Sequence, residues 1–307
     1  MSTSTISRAS ARQGLLLVLL AGMLWGTSGV TIKTIYGLAE TTPISVAALR
    51  LAMGAPALLA VSWRVAGRRS PSISRFDLLL LPLVGLLMGV YQLCYFLAIP
   101  RVGVAVATLV CICTGPVLVA LISTVLLRER LSRTVMGALA CALLGTVLLV
   151  GGGTRELGLR TEVVEGVALS LAGALGYALL LLASRRLGGR YHPLQSTAVA
   201  ITVGALLLLT VSSATTGLVM SYPPVGWTLL VYLGLVPTAL AYGIFFHGMR
   251  YATPAVASIG TLAEPLTASV LAMLIFGERL GTKGLVGAAL LIGAMVFLYR
   301  NSSSAEG

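Results

Sequence analysis

Long apolar segments separated by short polar connectors run along the whole chain of 307 residues. Each segment holds about twenty residues, the length that a helix needs to cross roughly 30 Å of hydrocarbon. The pattern predicts ten transmembrane spans, at 14–34, 43–63, 77–98, 103–126, 133–151, 164–184, 193–214, 226–247, 253–276 and 283–300. We therefore predict an all-α integral membrane protein.

The longest polar connector follows three consecutive glycines at 151–153 and separates two sets of five spans. We predict a first five-helix repeat over residues 1–152, a connector over 153–163, a second repeat over 164–300 and a disordered tail over 301–307. Because five is odd, the second repeat must cross the membrane in the opposite sense to the first. Such inverted repeats are typical of secondary transporters, whose sites lie near the bilayer midplane.

The two halves also repeat each other in sequence around a matched pair of prolines. Without a gap, Arg101 aligns with Arg250, Pro116 with Pro265, and Glu129-Arg130-Leu131 with Glu278-Arg279-Leu280. Matched interruptions of apolar spans indicate the central site of an inverted-repeat transporter. We predict helix breaks or hinges at Gly115, Pro116 and Pro265, and a static kink at Pro116 remains an alternative.

Composition supports the membrane prediction, because 57% of residues are hydrophobic, 10% are charged and the mean hydropathy is +0.99. The net charge of +12 does not indicate nucleic acid, since the basic residues form short clusters between spans. A cytoplasmic N-terminus places fourteen of them inside and six outside. The positive-inside rule then predicts a multi-pass protein of a bacterial-type inner membrane with both termini in the cytoplasm.

Enzymatic chemistry has little support in the sequence. The four cysteines lie inside apolar spans and the two histidines are far apart, so we expect no metal site, no cofactor and no catalytic residues. An intramembrane enzyme and a non-transporting scaffold or sensor remain as alternatives of a different class.

Glu264 is the sharpest candidate for function, because it lies near the middle of span nine. An ionisable residue there costs several kcal/mol unless it is paired or hydrated, and it marks a pathway or proton relay by default. Exclusion of water favours the protonated carboxyl, which suits proton coupling. We also expect Pro265 to leave the Thr261 carbonyl free for substrate or water. The alternative is a neutral hydrogen-bonding residue in helix packing.

Three further charged residues allow two interpretations. Arg50, about two turns into span two, either binds a substrate carboxylate or pairs with an acidic residue such as Glu278, and we favour the structural role. Glu129 and Glu278 lie at helix ends beside arginines, where local ion pairs are the simpler interpretation and gating is the other.

Aromatic and polar side chains concentrate in the middle of several spans, where they would suit an amphipathic small molecule. The predicted substrate-binding set is Trp25, Ser28, Tyr91, Gln92, Tyr95, Tyr177, Tyr242, Thr261 and Glu264. For any single member, ordinary packing between helices is the alternative.

Several short motifs resemble the drug/metabolite transporter superfamily, and specifically its ten-helix EamA-type members. They are Leu24-Trp25-Gly26-Thr27-Ser28, Ala48-Leu49-Arg50, Glu264-Pro265 and Phe276-Gly277-Glu278-Arg279-Leu280. The resemblance implies a ten-helix bundle with spans five and ten peripheral to a central cavity. It also implies export of amino acids or other small metabolites, as in YddG-like aromatic amino-acid exporters. The first half departs from the pattern with Arg128 before Glu129 and with Gly115 where the second half has Glu264.

We therefore expect a secondary transporter that exports small amphipathic metabolites, best matched by aromatic or neutral amino acids, by alternating access. A carrier of nucleotide-sugars or other anions would need several basic side chains in its cavity, and only Arg50 is available. Cationic drugs are the other alternative cargo. The sequence leaves monomer and homodimer equally open, with protons as the expected coupling ion.

Overall fold

The computed structural model describes residues 8–66, 75–126, 132–151, 161–187, 191–215, 217–277 and 281–300. Within these ranges the chain is helical, with nine helices long and apolar enough to span a membrane and one shorter apolar helix, Arg133–Leu148. The predicted all-α membrane fold is confirmed. The tail at 301–307 and most of the connector at 153–163 lie outside the described residues.

The helices follow the predicted spans closely. Six spans are single helices: Arg8–Leu38, Pro43–Ala66, Arg133–Gly151, Thr161–Leu187, Pro193–Ala214 and Thr282–Arg300, which are spans one, two, five, six, seven and ten. Spans three and four, Asp77–Val102 and Val106–Val125, belong to one helical stretch, Arg75–Leu126. Span eight is Pro224–Gly248, and span nine comprises two helices, Pro254–Gly260 and Ala263–Phe276.

Spans three and four reverse direction although their helical hydrogen bonding is continuous. The Tyr95 and Thr108 hydroxyls form a hydrogen bond of 2.7 Å across thirteen residues, which a straight helix would separate by about 20 Å. The chain must therefore turn back between them, near Pro100, which lacks the N–H that would continue the helix.

The structure treats the two predicted proline breaks differently. Helical hydrogen bonding continues through Gly115 and Pro116, as it also does through the reversal near Pro100, so a hinge at Pro116 stays a prediction. Span nine does break, at Thr261 and Leu262, a few residues before Pro265. Pro265 occupies the first turn of the following helix, where a missing N–H costs little because such groups have no partner within the helix.

Span eight contains a second irregularity, a π-helical segment at Gly234–Leu240 that includes Pro237. The Thr238 hydroxyl donates to the Leu233 carbonyl at 2.8 Å, five residues back, and so satisfies an acceptor that the wider turn releases. Short π-segments inside helices are rare and frequently accompany functional sites.

Contacts between spans come in matching pairs: when each span is replaced by its counterpart in the other half, the same contact is found again. Gly54 of span two lies against Gly234 of span eight, and Gly204 of span seven lies against Gly89 of span three. Span one contacts spans eight and nine, while span six contacts spans three and four. Spans five and ten pair through Gly145 and the Gly287 carbonyl, at the edge of the bundle.

Among the described residues the buried apolar side chains form four clusters. The largest runs along the bundle, from Ile44 and Leu208 near one end to Leu187 and Met249 near the other. A second lies where spans one, five, nine and ten meet, around Leu15 and Val256. Two smaller clusters lie around Ile35 and Leu230 and around Ala98 and Val102.

Candidate functional site

Glu264 begins the second helix of span nine, directly after the break. Its N–H donates to the Thr261 carbonyl at 2.9 Å, so the prediction that this carbonyl is free was wrong. Span one packs against the same point, because a Cβ built on Gly26 would lie 2.7 Å from the Glu264 carbonyl oxygen and 2.6 Å from Thr267 Cβ. Only glycine permits this approach.

Four side chains from spans three, six and nine lie together around Glu264. Tyr95 and Tyr177 are within electrostatic range of Glu264, and the ring of Tyr91 contacts that of Tyr177. Each of the four is neither fully buried nor fully exposed. We take the space that Glu264, Tyr91, Tyr95 and Tyr177 border as the candidate cavity.

Aromatic rings form one wall of this cavity. The Trp25 ring lies 4.8 Å from that of Tyr242 and 5.1 Å from that of Phe245, both on span eight. Tyr91 meets Tyr177 edge-on at 5.6 Å, and the hydroxyls of Tyr91 and Tyr242 are hydrogen-bonded. The predicted aromatic residues of spans one, three, six and eight thus come together.

Arg50 reaches the same cavity from span two. Its Nη2 donates to Gln92 Oε1 at 2.6 Å, and its guanidinium lies 5.8 Å from the centre of the Phe96 ring. It is close enough to Glu264 for an electrostatic effect, but among the described residues the two groups form no ion pair. The alternative partner Glu278 lies outside the described residues, as does Glu129.

Several polar atoms around the cavity lack a hydrogen-bond partner. They are Trp25 Nε1, Ser28 Oγ and Arg50 Nε, and the side chains of Trp25 and Ser28 are only 8% and 7% exposed. The Tyr177 hydroxyl lies close to the Thr261 side chain but makes no hydrogen bond of standard geometry. Buried polar groups without partners are costly, so these atoms are available to water or a ligand.

Two lining residues escaped the sequence analysis. Thr108 bonds Tyr95, and the part-exposed Cys111 lies within electrostatic range of Glu264. Thr108 and Cys111 lie on span four, and the reversal of the chain between spans three and four brings them to the site. A hydropathy pattern does not show how span four is placed after this reversal. Gly115 is buried beside the Tyr177 ring, where an added Cβ would lie 3.4 Å from Tyr177 Cδ1, an ordinary contact.

Within the described ranges no three His, Cys, Asp or Glu side chains come close enough to hold a metal ion. The Arg101–Glu165 ion pair, at 3.3 Å, joins the turn after span three to span six near the surface.

A helical bundle of this kind, with charged and aromatic groups around an enclosed central space, is typical of membrane transporters. The sequence model of the EamA-like transporter family matches residues 12–151 and again 164–300. The chain belongs to the EamA-like transporter family, so the resemblance noted in the sequence is confirmed at the family level.

Similar proteins include bacterial transporters without an assigned substrate. The uncharacterized transporter YwfM of Bacillus subtilis is 30% identical over 90% of both chains. The uncharacterized inner membrane transporter YicL of Salmonella typhimurium is 26% identical over 95% of this chain and 97% of its own. A solved crystal structure superposes with a TM-score of 0.77 over 95% of this chain and 96% of that chain, at 23% identity, which shows the fold alone.

Proposed function

We propose that this transporter exports small amphipathic metabolites, with aromatic and neutral amino acids as the leading class, across the inner membrane. The observation that carries the proposal is the pair of opposite charges, Arg50 and Glu264, beside one enclosed cavity with an aromatic wall. A zwitterion with an apolar side chain offers a carboxylate, an ammonium group and a surface for ring contacts, which these groups match.

Glu264 is proposed as the proton-coupling group. It is the acidic side chain that the described residues bring to the cavity. In an apolar enclosure the neutral carboxyl is favoured, while a substrate ammonium favours the carboxylate. Proton binding and substrate binding therefore compete at Glu264, and this competition exchanges a proton for the substrate.

Alternating access between the two membrane faces is supported by the packing of the spans. The close contact between spans two and eight recurs between spans seven and three, which are their counterparts in the other half. Two halves that pack alike allow two arrangements of the bundle, each open to a different side of the membrane. We propose that the two five-span repeats are inverted and that both termini lie in the cytoplasm.

Anionic cargo such as nucleotide-sugars is disfavoured, because Arg50 is the only cationic side chain found at the cavity among the described residues. Organic cations fit Glu264 and the aromatic wall but leave Arg50 without a partner, so they rank second.

Efflux from cells tests both the substrate class and the direction. Bacteria lacking their own exporters are loaded with a labelled amino acid, and its loss is followed with and without the protein. We expect faster loss of aromatic or neutral amino acids and no effect with Glu264→Ala present at equal level in the membrane. Faster loss of an organic cation alone would replace the amino-acid proposal with the second candidate.

A further inference from the structure

We propose that Arg50 binds the carboxylate of the substrate and that Gln92 is the positioning residue that holds Arg50 ready for it. This inference rests on the proposed function, because it needs a substrate that carries a carboxylate. It replaces the structural role that the sequence favoured for Arg50.

The charge of Arg50 is not neutralised where the structure holds it. Its side chain is part-exposed to the cavity, it touches the neutral amide of Gln92 and the ring of Phe96, and Nε has no partner. Among the described residues it makes no ion pair within 4 Å, and Glu264 acts on it only from a distance. A buried guanidinium without a counter-ion is costly, so the site favours an incoming anion.

Gln92 holds the guanidinium in one orientation. Gln92 is 1% exposed, its Nε2 donates to Met88 Sδ at 3.7 Å, and its Oε1 accepts from Arg50 Nη2 at 2.6 Å. The amide therefore takes one of the five guanidinium N–H donors and leaves the others for a ligand. A neutral anchor fixes the position of Arg50 without cancelling its charge, which an acidic residue would do.

Arg50 and Glu264 lie near the same two tyrosines. Tyr95 and Tyr242 each lie within electrostatic range of both Arg50 and Glu264. A ligand beside these tyrosines therefore meets a cation at one end and a carboxyl group at the other. The charge-assisted, bidentate geometry of guanidinium and carboxylate makes Arg50 the selective group for the acid end of the substrate.

The test compares each transported amino acid with its uncharged C-terminal amide in a proteoliposome exchange assay. The quantity measured is the preference for the acid, taken as the ratio of kcat/KM for acid and amide. We expect the wild type to prefer the acid by about tenfold or more, as loss of a charge-assisted hydrogen bond predicts. In Arg50→Gln the preference falls towards one, because transport of the acid weakens while transport of the amide persists.

Gln92→Glu tests the positioning role with almost no change in shape. The new carboxylate would pair with Arg50 and cancel its charge, so the acid preference should fall as in Arg50→Gln, mainly through a higher KM for the acid. Gln195→Glu is the matched control, since Gln195 caps span seven away from the cavity and glutamate serves equally well in that position. Arg50→Lys keeps the charge and should retain part of the preference.

The outcomes separate the inference from the proposed function. A wild type that exchanges amino acids but shows no acid preference overturns the role of Arg50, as does a preference that survives in both Arg50→Gln and Gln92→Glu. If Arg50→Gln fails to fold, Gln92→Glu decides. A folded wild type that exchanges no amino acid overturns the proposed function, and the inference with it.

Discussion

A carboxylic acid in the middle of a membrane bundle is the residue on which the account depends most. Glu264 lies beside a helix break, next to a cavity lined by tyrosines, with a cation across the space. Intramembrane acids are kept at such cost where they bind protons, ions or substrate. This placement is the reason why we propose a functional role for Glu264 rather than one in packing alone.

Replacement of Glu264 by glutamine should remove the pH dependence of transport. Glutamine keeps the shape and the hydrogen-bonding capacity but cannot exchange a proton, so the rate should lose its response to a pH gradient. The measurement is exchange in liposomes across a series of imposed pH gradients. Glu165→Gln is the control, because Glu165 is half-exposed in the peripheral ion pair with Arg101. An unchanged pH response in Glu264→Gln would remove Glu264 from the coupling step.

The hydrogen bond between Tyr91 and Tyr242 joins spans three and eight in the aromatic wall of the cavity. Either Tyr→Phe change leaves one enclosed hydroxyl without a partner and should destabilise the protein by about 1–3 kcal/mol. The double variant leaves none, so it should be less destabilised than the sum of the single variants. Unfolding in detergent measures the change in the free energy of unfolding for each single variant and for the double variant. If the two single changes simply add up to the double change, the two hydroxyls do not interact.

For single residues, the sequence predicted which side chains lie around the cavity better than it predicted which groups they contact. Trp25, Tyr91, Tyr177, Tyr242 and Glu264 meet at one place, as their mid-span positions suggested. The Arg50–Gln92 bond and the approach of Cys111 depend on how spans two, three and four are rotated, and apolar helices carry no periodicity strong enough to show this.

Two spans are interrupted within the described residues. Span nine breaks at Thr261 and Leu262, and span eight widens to a π-helix at Gly234–Leu240. The sequence pointed to Pro265 and so located the break in span nine within a few residues. A hinge at Pro116 stays a prediction, because a proline alone does not state whether neighbouring turns absorb its missing hydrogen bond.

Gly26 determines how closely span one approaches span nine. In Gly26→Ala the new methyl group would meet the backbone at Glu264 and Ala268 and the side chain of Thr267, and the helices must separate. We expect a loss of stability of about 1–3 kcal/mol and a strong loss of transport, because Glu264 moves with the backbone. Thermal unfolding and exchange rates measure the two effects.

Gly29→Ala is the matched control, since a Cβ at Gly29 would meet no atom within 4 Å. Its transport and stability should match or slightly exceed those of the wild type, because alanine favours helix. Equal effects of the two substitutions would show that the contact between spans one and nine is not specific.

The whole bundle is built from matching contacts in its two halves. Span two packs against span eight as span seven packs against span three. The ten-helix bundle itself was predictable from hydropathy and length. Which spans contact each other was not predictable, because that depends on which faces of equally apolar helices meet.

Accessibility to a membrane-impermeant thiol reagent tests which end of the bundle is open. In a variant without native cysteines, Tyr36→Cys should react from outside the cell, because Tyr36 is exposed and lies within electrostatic range of Arg50. Phe246→Cys should be protected, since Phe246 is buried in the largest core cluster. Reaction of Phe246→Cys together with protection of Tyr36→Cys would place the opening at the other end.

The most direct test of the account is counterflow in proteoliposomes containing the purified protein alone. Liposomes are loaded with one unlabelled amino acid at a time, and entry of the labelled compound is followed without ATP or an imposed ion gradient. The account predicts saturable entry that depends on preloading with aromatic or neutral amino acids and is lost in Glu264→Ala. Absence of exchange across the whole amino-acid panel, from protein shown to be folded, would contradict it.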